Sequence, residues 1–249
     1  MASSNPAFKT DYITRAPSVS DAEAMTIDGS VNKTFLLLAF LFATAYWAWM
    51  NCFPEGYQVG MAPTIPGWYW GAVIGGFVVA LVIIFKNSWA PFLAPVYAIL
   101  EGLFLGAISA LMETQYPGIV IQAILGTAGT FMVMLTLYRT RIIKVTDKLR
   151  MIIVGATLGI ALVYIIGIVM SFFGGGIPYI HESGPIGIGF SVVVCGIAAF
   201  NLLLDFDFIE KGSEAKAPKY MEWYAAFGLL VTLIWLYLEI LRLLGKARD

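Results

Sequence analysis

Seven long apolar stretches, separated by short polar breaks, limit what this chain can fold into. A bilayer core about 30 Å thick needs roughly 20 apolar residues per helical crossing, and each stretch comes close to that length. With 59% hydrophobic and 12% charged residues, the composition is that of a membrane protein and not of a soluble domain. We therefore predict an all-α, polytopic membrane protein with a seven-transmembrane helix bundle. The stretches are Val31 to Met50, Trp68 to Phe85, Ala90 to Leu111, Ile119 to Tyr138, Met151 to Phe173, Ile186 to Leu204 and Trp223 to Leu244.

The chain divides by composition into two parts. Residues 1–30 are polar and lack apolar periodicity, so they cannot bury enough surface to offset the entropy lost on ordering. We predict a disordered tail over residues 1–30, without the pattern of a cleaved signal peptide, and a seven-helix transmembrane domain over residues 31–249. Cys52 follows the first stretch and Cys195 lies inside the sixth, so both are expected to be free thiols.

Basic residues mark one side of the membrane. Lys and Arg occur before the first stretch and after the second, fourth and sixth, whereas the breaks after the first, third and fifth contain none. By the positive-inside rule the amino-terminal tail is cytoplasmic. Arg242, Lys246 and Arg248 follow the last stretch, which seven crossings would place outside. Either this end is an exception to the rule, or the seventh stretch enters and leaves on the cytoplasmic side; its apolar length favours a crossing.

Pairs of glycines four residues apart predict where helices approach each other in lipid, because small residues let two backbones come into contact. The pairs are Gly71 with Gly75, Gly102 with Gly106, and Gly155 with Gly159.

Glu101 lies near the middle of the third stretch, and no Lys, Arg or His lies at the same depth in another stretch. A carboxylate within hydrocarbon is costly and usually pairs with something inside the bundle. Glu101 is therefore either a proton or cation relay, or a neutral acid hydrogen-bonded to Tyr97 one turn earlier or to a Ser or Thr of another helix.

Two aspartates close the sixth stretch. Asp205 and Asp207 stand where unsatisfied carbonyls should make the helix end partly negative, so a proton or cation is expected there. Asp205 shares a helix face with Asn201, one turn earlier, and is the better candidate for ion or proton binding. Asp207 precedes Lys211 by four residues, which is the spacing of a helix ion pair, and a structural pair there competes with an ion-binding role.

Glu239 in the seventh stretch is a further candidate, although Arg242 three residues later can neutralise it. The sequence does not favour an intramembrane Ser/His dyad or a multi-histidine metal site. The only histidine, His181, lies in the break after the fifth stretch and not within a membrane span. Asp205 and Asp207 point to opposite faces and cannot share a proton as protease aspartates do. We expect no enzymatic activity, no bound cofactor and no nucleic-acid partner.

Three segments carry a resemblance to a known family. They are residues 95–109 (PVYAILEGLFLGAIS), 200–212 (FNLLLDFDFIEKG) and 233–244 (LIWLYLEILRLL). With these segments, residues 30–245 resemble the Bax inhibitor family, especially its bacterial YccA branch. The resemblance implies a seven-helix fold with the last helix central, in the bacterial inner membrane.

For some members the resemblance also implies a pH-sensitive calcium leak, governed by an aspartate at the end of helix six that faces another in helix seven. Asp205 matches the first position and is the candidate Ca²⁺ ligand. Thr232 stands at the second position, so the two-carboxylate sensor is incomplete. Some bacterial relatives share this departure, and for them the family suggests interaction with the membrane-bound AAA protease FtsH.

Three functions stay open from the sequence. The first is an ion-handling protein in which Asp205 gates or binds a cation, with Ca²⁺ as the transported ion, and Glu101 is a midplane relay. The second is a non-conducting modulator of an FtsH-like protease or of a stress response. The third is a small-solute transporter with a cavity lined by Tyr97, Tyr164 and Asn201.

Overall fold

The computed structural model describes residues 23–53, 63–173 and 184–248, apart from the side chain of Phe172. His181, Glu182 and residues 1–22 of the predicted tail lie outside the described residues. A short 3₁₀ helix, Asn87–Trp89, precedes the third α-helix. The α-helices are α1 (Ile27–Asn51), α2 (Trp68–Phe85), α3 (Ala90–Gln115), α4 (Ile119–Arg139), α5 (Asp147–Phe172), α6 (Pro185–Glu214) and α7 (Met221–Lys246).

All seven helices are long and apolar enough to cross a membrane, and the part of the chain that the structure describes contains no β-strand. This confirms the all-α, seven-span fold class. Two helices begin four residues earlier than predicted because threonines cap them: Thr26 accepts from the Gly29 N–H at α1, and Thr146 accepts from the Leu149 N–H at α5. Residues 23–30 therefore belong to the folded structure and not to a disordered tail.

The sixth helix is longer than its apolar stretch. Asp205 and Asp207 were expected at the helix end, but α6 continues past Leu204 to Glu214. The expectation that they repel a negative helix end is therefore wrong, since the carbonyls around them continue the helix. An ion pair between Asp207 and Lys211 lies within this polar extension, and Gly212 packs against the sulfur of Met25.

The chain divides into two compact units. The first consists of Met1–Pro117 and Asp207–Val231, and the second of Gly118–Phe206 and Thr232–Asp249. The division passes through α6 and α7, so each of these helices contributes to both units. Half of the apolar window of α7 is buried, a larger share than in any other of the seven helices.

Close helix packing in the first unit depends on one glycine pair. A Cβ at Gly102 would collide with the Leu41 carbonyl oxygen and with Thr44, and one at Gly106 would collide with the Ala45 carbonyl oxygen. The backbones of α1 and α3 are therefore in contact, as the spacing predicts.

The other glycine pairs do not pack in this way. A Cβ at Gly75 would meet the Leu100 side chain of α3 at 3.3 Å, a tight contact with a side chain and not with a backbone, and a Cβ at Gly71, Gly155 or Gly159 would meet nothing within 4 Å among the described residues. The prediction of close backbone contacts is therefore confirmed for Gly102 and Gly106, whereas Gly75 meets only a side chain and Gly155 and Gly159 meet nothing in the described residues.

The last two helices run antiparallel in the second unit. Near the end of α7, the Lys246 Nζ donates hydrogen bonds to the Gly187 carbonyl oxygen at 3.1 Å and to the Ser191 Oγ at 3.0 Å, close to the start of α6. Because α7 is one continuous helix that is long and apolar enough to cross a membrane, the structure favours a crossing over a stretch that enters and leaves on one side. Lys246 is buried and engaged within the protein, so it is not a free surface charge.

Both cysteines are free, as predicted. Cys52 follows α1 and packs against Ala107 and Ala110 of α3. Burial raises the pKa of the Cys52 thiol, which lowers its reactivity as a nucleophile.

Candidate functional site

Among the described residues of the second unit, Asp205 has Thr232 as its side-chain hydrogen-bond partner. It is half-buried on α6, and its carboxyl group forms a hydrogen bond with the Thr232 side chain of α7. The Asp205 Oδ2 atom is shielded from solvent and has no hydrogen-bond partner among the described residues. An acceptor left in this state costs free energy unless a proton, a water or a cation reaches it.

Asn201 lies one turn from Asp205 but bonds elsewhere. Its side-chain nitrogen donates to the Thr157 Oγ1 of α5 at 2.8 Å and to the Ile197 carbonyl oxygen at 2.9 Å. The shared face predicted for Asn201 and Asp205 therefore does not produce a hydrogen bond between their side chains.

Glu239 is the centre of a saturated network in the second unit. Its carboxylate is buried and accepts from the Tyr164 hydroxyl at 2.8 Å, from the Trp235 Nε1 at 3.2 Å, and from the Arg242 guanidinium at 3.0 Å on both oxygens. The same guanidinium donates to the Tyr164 hydroxyl at 2.6 Å. The predicted pairing with Arg242 is present, and Tyr164 is a network member that sequence spacing did not reveal.

These contacts form a polar seam along α5, α6 and α7. On α7 the members recur at intervals of three and four residues, which places them on one face of the helix. Between Thr232 and Lys246 the seam extends over about 21 Å of helix. Its members are Asp205, Thr232, Asn201, Thr157, Tyr164, Trp235, Glu239, Arg242, Ser191 and Lys246.

Asp207 has the structural partner that its spacing predicted. The Lys211 Nζ lies 2.8 Å from the Asp207 Oδ2, and the Asp207 side chain is nearly buried. Asp207 belongs to the first unit, whereas Asp205 belongs to the second. The two aspartates therefore have different surroundings, and Asp207 is occupied by its ion pair.

Glu101 lies in the first unit beside a cleft between α2 and α3. Its carboxyl group forms a hydrogen bond with the Tyr97 hydroxyl, one turn earlier, which is the contact considered from the sequence. The carboxyl group also lies against Gly76, where a Cβ would meet the Glu101 Oε1 at 2.9 Å. The cleft has a volume of about 250 Å³, and its lining residues are Val73, Phe77, Ala80, Tyr97, Glu101 and Phe104.

Neither Glu101 nor Asp205 has a basic partner. Within the described ranges, no Lys or Arg side chain lies within ion-pair distance of either carboxyl group. No group of three or more His, Cys, Asp or Glu side chains in these ranges could hold a metal ion. Among the described residues, hydrogen bonds from Tyr97 and Thr232 are therefore the side-chain contacts of these two carboxyl groups.

One buried ion pair escaped the sequence analysis. Glu222 is fully buried at the start of α7 and accepts hydrogen bonds from the Thr26 N–H at 2.9 Å and the Thr26 Oγ1 at 3.0 Å, and it pairs with Lys33 of α1. Gly29 leaves space for this carboxylate, since a Cβ there would collide with it. The sequence showed only that Glu222 suits a helix amino terminus, because its partners lie far away along the chain.

Comparison with known proteins gives one match. A family model described as "Bax inhibitor 1 like" matches residues 5–249. Neither the curated proteins nor the solved structures contain a significant match to the chain.

Proposed function

Because the chain belongs to the Bax inhibitor 1 like family, we propose that it is an ion-homeostasis protein, a pH-sensitive leak for calcium or for protons or other cations. Intramembrane carboxyl groups carry the function, and Asp205 is the central one. The observation that supports this most directly is the buried Asp205 Oδ2 without a hydrogen-bond partner in the described residues. A charge at this position demands compensation, and a mobile proton or cation can supply it.

The chemistry of Asp205 suits passage better than storage. Ca²⁺ takes about six to eight oxygen ligands when it is bound tightly. Asp205 and Thr232 offer a carboxylate and a hydroxyl, and water would have to supply the other ligands. A site that binds weakly also releases quickly, as conduction requires. Protonation of Asp205 would remove the negative charge that attracts the cation, which gives the leak its pH dependence.

Glu101 is proposed as a second relay for protons or cations. It has no basic partner among the described residues, and its carboxyl group accepts a hydrogen bond from the Tyr97 hydroxyl. The polar seam would guide ions or protons past Asn201, whereas Glu239 is already neutralised by Arg242 and serves a structural role.

We place the protein in the bacterial inner membrane with the amino terminus in the cytoplasm. The alternation of breaks that contain Lys or Arg with breaks that contain neither supports this orientation. No catalytic role is proposed for any residue, and Ca²⁺ is a transported ion rather than a cofactor.

Flux in proteoliposomes tests the proposal. The purified chain is expected to pass Ca²⁺ or protons in a manner that changes with pH over about pH 5 to 8, a range in which the fold is expected to persist. Asp205→Asn should lower the flux by about tenfold or more and flatten its pH dependence, since about 1.4 kcal/mol of lost ion stabilisation corresponds to a tenfold change. Glu101→Gln should lower it less.

Asp207→Asn is the matched control, because it alters a nearby aspartate of the same helix that is already paired with Lys211. Its flux should stay close to that of the unaltered chain. Absence of Ca²⁺ and proton flux across the whole pH range, or an Asp205→Asn variant with unchanged flux, would reject the proposal.

A second candidate is a non-conducting modulator of a membrane-bound AAA protease such as FtsH. The turn between α4 and α5 favours it, because Arg139, Lys144 and Lys148 are exposed there and form a basic surface on which an acidic partner could dock. Replacement of these three residues by Gln should prolong or shorten the half-life of protease substrates in cells and abolish recovery of the protease in a pull-down, without an effect on liposome flux. Unchanged half-lives and no recovered protease with the unaltered chain would eliminate this candidate.

A further inference from the structure

The cleft beside Glu101 combines three features that bear on what it could bind. It contains a carboxyl group with no basic partner in the described residues, it is lined by aromatic rings, and one wall faces outward. Phe77 forms this wall and is 64% exposed. Because the cleft lies between two helices that are apolar enough to span a membrane, its outward side is accessible from the lipid.

Small residues of α2 leave the space that makes the cleft. Gly76 and Ala80 present no bulk toward α3, so the Glu101 carboxyl group can lie against the glycine. A larger residue at position 76 would force this carboxyl group away from α2. A methyl group at position 76 would therefore displace the carboxyl group that lines the cleft.

The lining favours an organic cation. The faces of Phe77, Phe104 and Tyr97 attract positive charge through their ring quadrupoles. Glu101 supplies a full negative charge once a cation is present. An ammonium group needs no more than one carboxylate and aromatic faces, whereas a metal ion requires several oxygen ligands that this cleft lacks among the described residues.

The cleft is also too small for a whole drug-sized molecule. Small-molecule sites usually enclose about 300–1,000 Å³, and this one encloses about 250 Å³. A cationic head can enter while an attached hydrocarbon chain stays in the bilayer.

We propose that the cleft between α2 and α3 binds the ammonium end of lipid-soluble organic cations, which enter from the side of the membrane and pair with Glu101. This binding goes beyond the proposed ion leak and does not require that the protein conduct any ion.

Photolabelling with a matched pair of probes tests the site. Both probes are alkyl chains that carry a diazirine; one ends in a trimethylammonium group and the other in a tert-butyl group, which has the same shape without the charge. The full-length chain is labelled in nanodiscs of zwitterionic lipid, and the modified residues are mapped by mass spectrometry. Labelling of α5 peptides corrects for unequal partitioning of the two probes into the lipid.

The ammonium probe should label the cleft residues about tenfold more than the tert-butyl probe, which corresponds to about 1.4 kcal/mol of preference for the charge. Glu101→Gln should remove this preference while the uncharged probe labels as before. Gly76→Ala should reduce labelling by both probes, whereas Gly71→Ala on the same helix, which meets nothing within 4 Å among the described residues, should not.

Equal labelling by the two probes in the unaltered chain would overturn the proposal. A preference that survives in Glu101→Gln would overturn it as well, and labelling unaffected by Gly76→Ala would show that the probe binds elsewhere. Because no flux is measured, these outcomes are independent of whether the protein leaks ions. If Glu101→Gln does not fold, the comparison of the two probes on the unaltered chain and on the glycine variants still decides whether the cleft binds the ammonium group.

Discussion

At the scale of single residues, the number of hydrogen-bond donors distinguishes the buried carboxylates from one another. Glu222 and Glu239 are at least as buried as Asp205, yet each receives several donors, including one from a basic side chain. Asp205 receives one donor, from Thr232, and keeps an oxygen without a partner among the described residues. Burial therefore does not separate the three carboxylates, whereas an oxygen without a hydrogen-bond partner in the described residues is found at Asp205 and not at the two glutamates.

The ion pair between Lys33 and Glu222 is predicted to stabilise the fold. Their side chains are 18% and 0% exposed, so Lys33→Met leaves a carboxylate buried without its counter-charge. We expect a loss of about 2–3 kcal/mol in the free energy of unfolding, somewhat less than for a fully buried pair because water reaches Lys33. Unfolding in detergent or by steric trapping in bicelles measures the loss.

A double variant shows whether the effect comes from the pair. Lys33→Met combined with Glu222→Gln should be more stable than Lys33→Met alone, because no charge then remains buried. Lys211→Met is the control, since Lys211 is 39% exposed and its pair with Asp207 is expected to contribute less than about 1 kcal/mol. Equal losses for Lys33→Met and Lys211→Met would contradict the expected difference.

Residue spacing explains which of these contacts could be predicted. Asp207 with Lys211 and Glu239 with Arg242 are four and three residues apart on one helix, and the sequence predicts both pairs. Lys33 and Glu222 are 189 residues apart, and no local pattern connects them. The contact between Tyr164 and Glu239 could not be predicted for the same reason, because it depends on how α5 packs against α7.

At the scale of helices, hydropathy predicts the apolar segment that spans the membrane better than it predicts where each helix begins and ends. It gives the limits of α2 correctly because apolar sequence and helix end together there. It ends the sixth helix too early, because Asp205, Asp207 and the charged residues that follow are polar but still helical. Apolar composition reports what lies in lipid, whereas a helix can extend beyond the bilayer into water.

Glycine substitutions test how closely the helices pack. Gly102→Ala should destabilise the protein by about 1–3 kcal/mol, because the added methyl group collides with the backbone of Leu41 and with Thr44. Gly155→Ala places the same methyl group where it meets nothing within 4 Å among the described residues, and should be neutral or stabilising by up to about 1 kcal/mol through helix propensity. Thermal unfolding of both variants in one detergent compares them.

Gly155→Ala is the control for Gly102→Ala, because both variants replace a glycine by an alanine within a spanning helix. If Gly102→Ala proved as stable as Gly155→Ala, the close contact between α1 and α3 would not exist in solution.

At the scale of the whole molecule, seven crossings predict that the two termini lie on opposite sides of the membrane. By charge alone, the basic residues near the carboxyl end argue for a cytoplasmic carboxyl terminus, but Arg242 pairs with Glu239, Lys246 bonds to Ser191, and Arg248 bonds to the Gln122 side chain. The prediction of termini on opposite sides therefore rests on seven helices that are long and apolar enough to cross.

Reporter fusions in bacterial cells test this orientation. Alkaline phosphatase, which is active outside the cytoplasm, should be active when fused after Asp249, whereas green fluorescent protein should fluoresce at the amino terminus. Replacement of Lys246 by Ala should leave both readouts unchanged. Reporters that place both termini on one side would contradict a seven-crossing topology.

The pairing of Thr26 and Lys33 with Glu222 has a consequence for biosynthesis. During translation, α1 is made long before the carboxylate that engages it, since Glu222 follows Thr26 by 196 residues. Until the ribosome has delivered the start of α7, the Lys33 ammonium group must remain in water at the membrane surface, and the cap at Thr26 lacks its distant acceptor. The first of the seven helices can therefore pack against α3 early, but it completes its contacts only when α7 has been made, and a chain truncated before α7 would lack the carboxylate that engages Thr26 and Lys33.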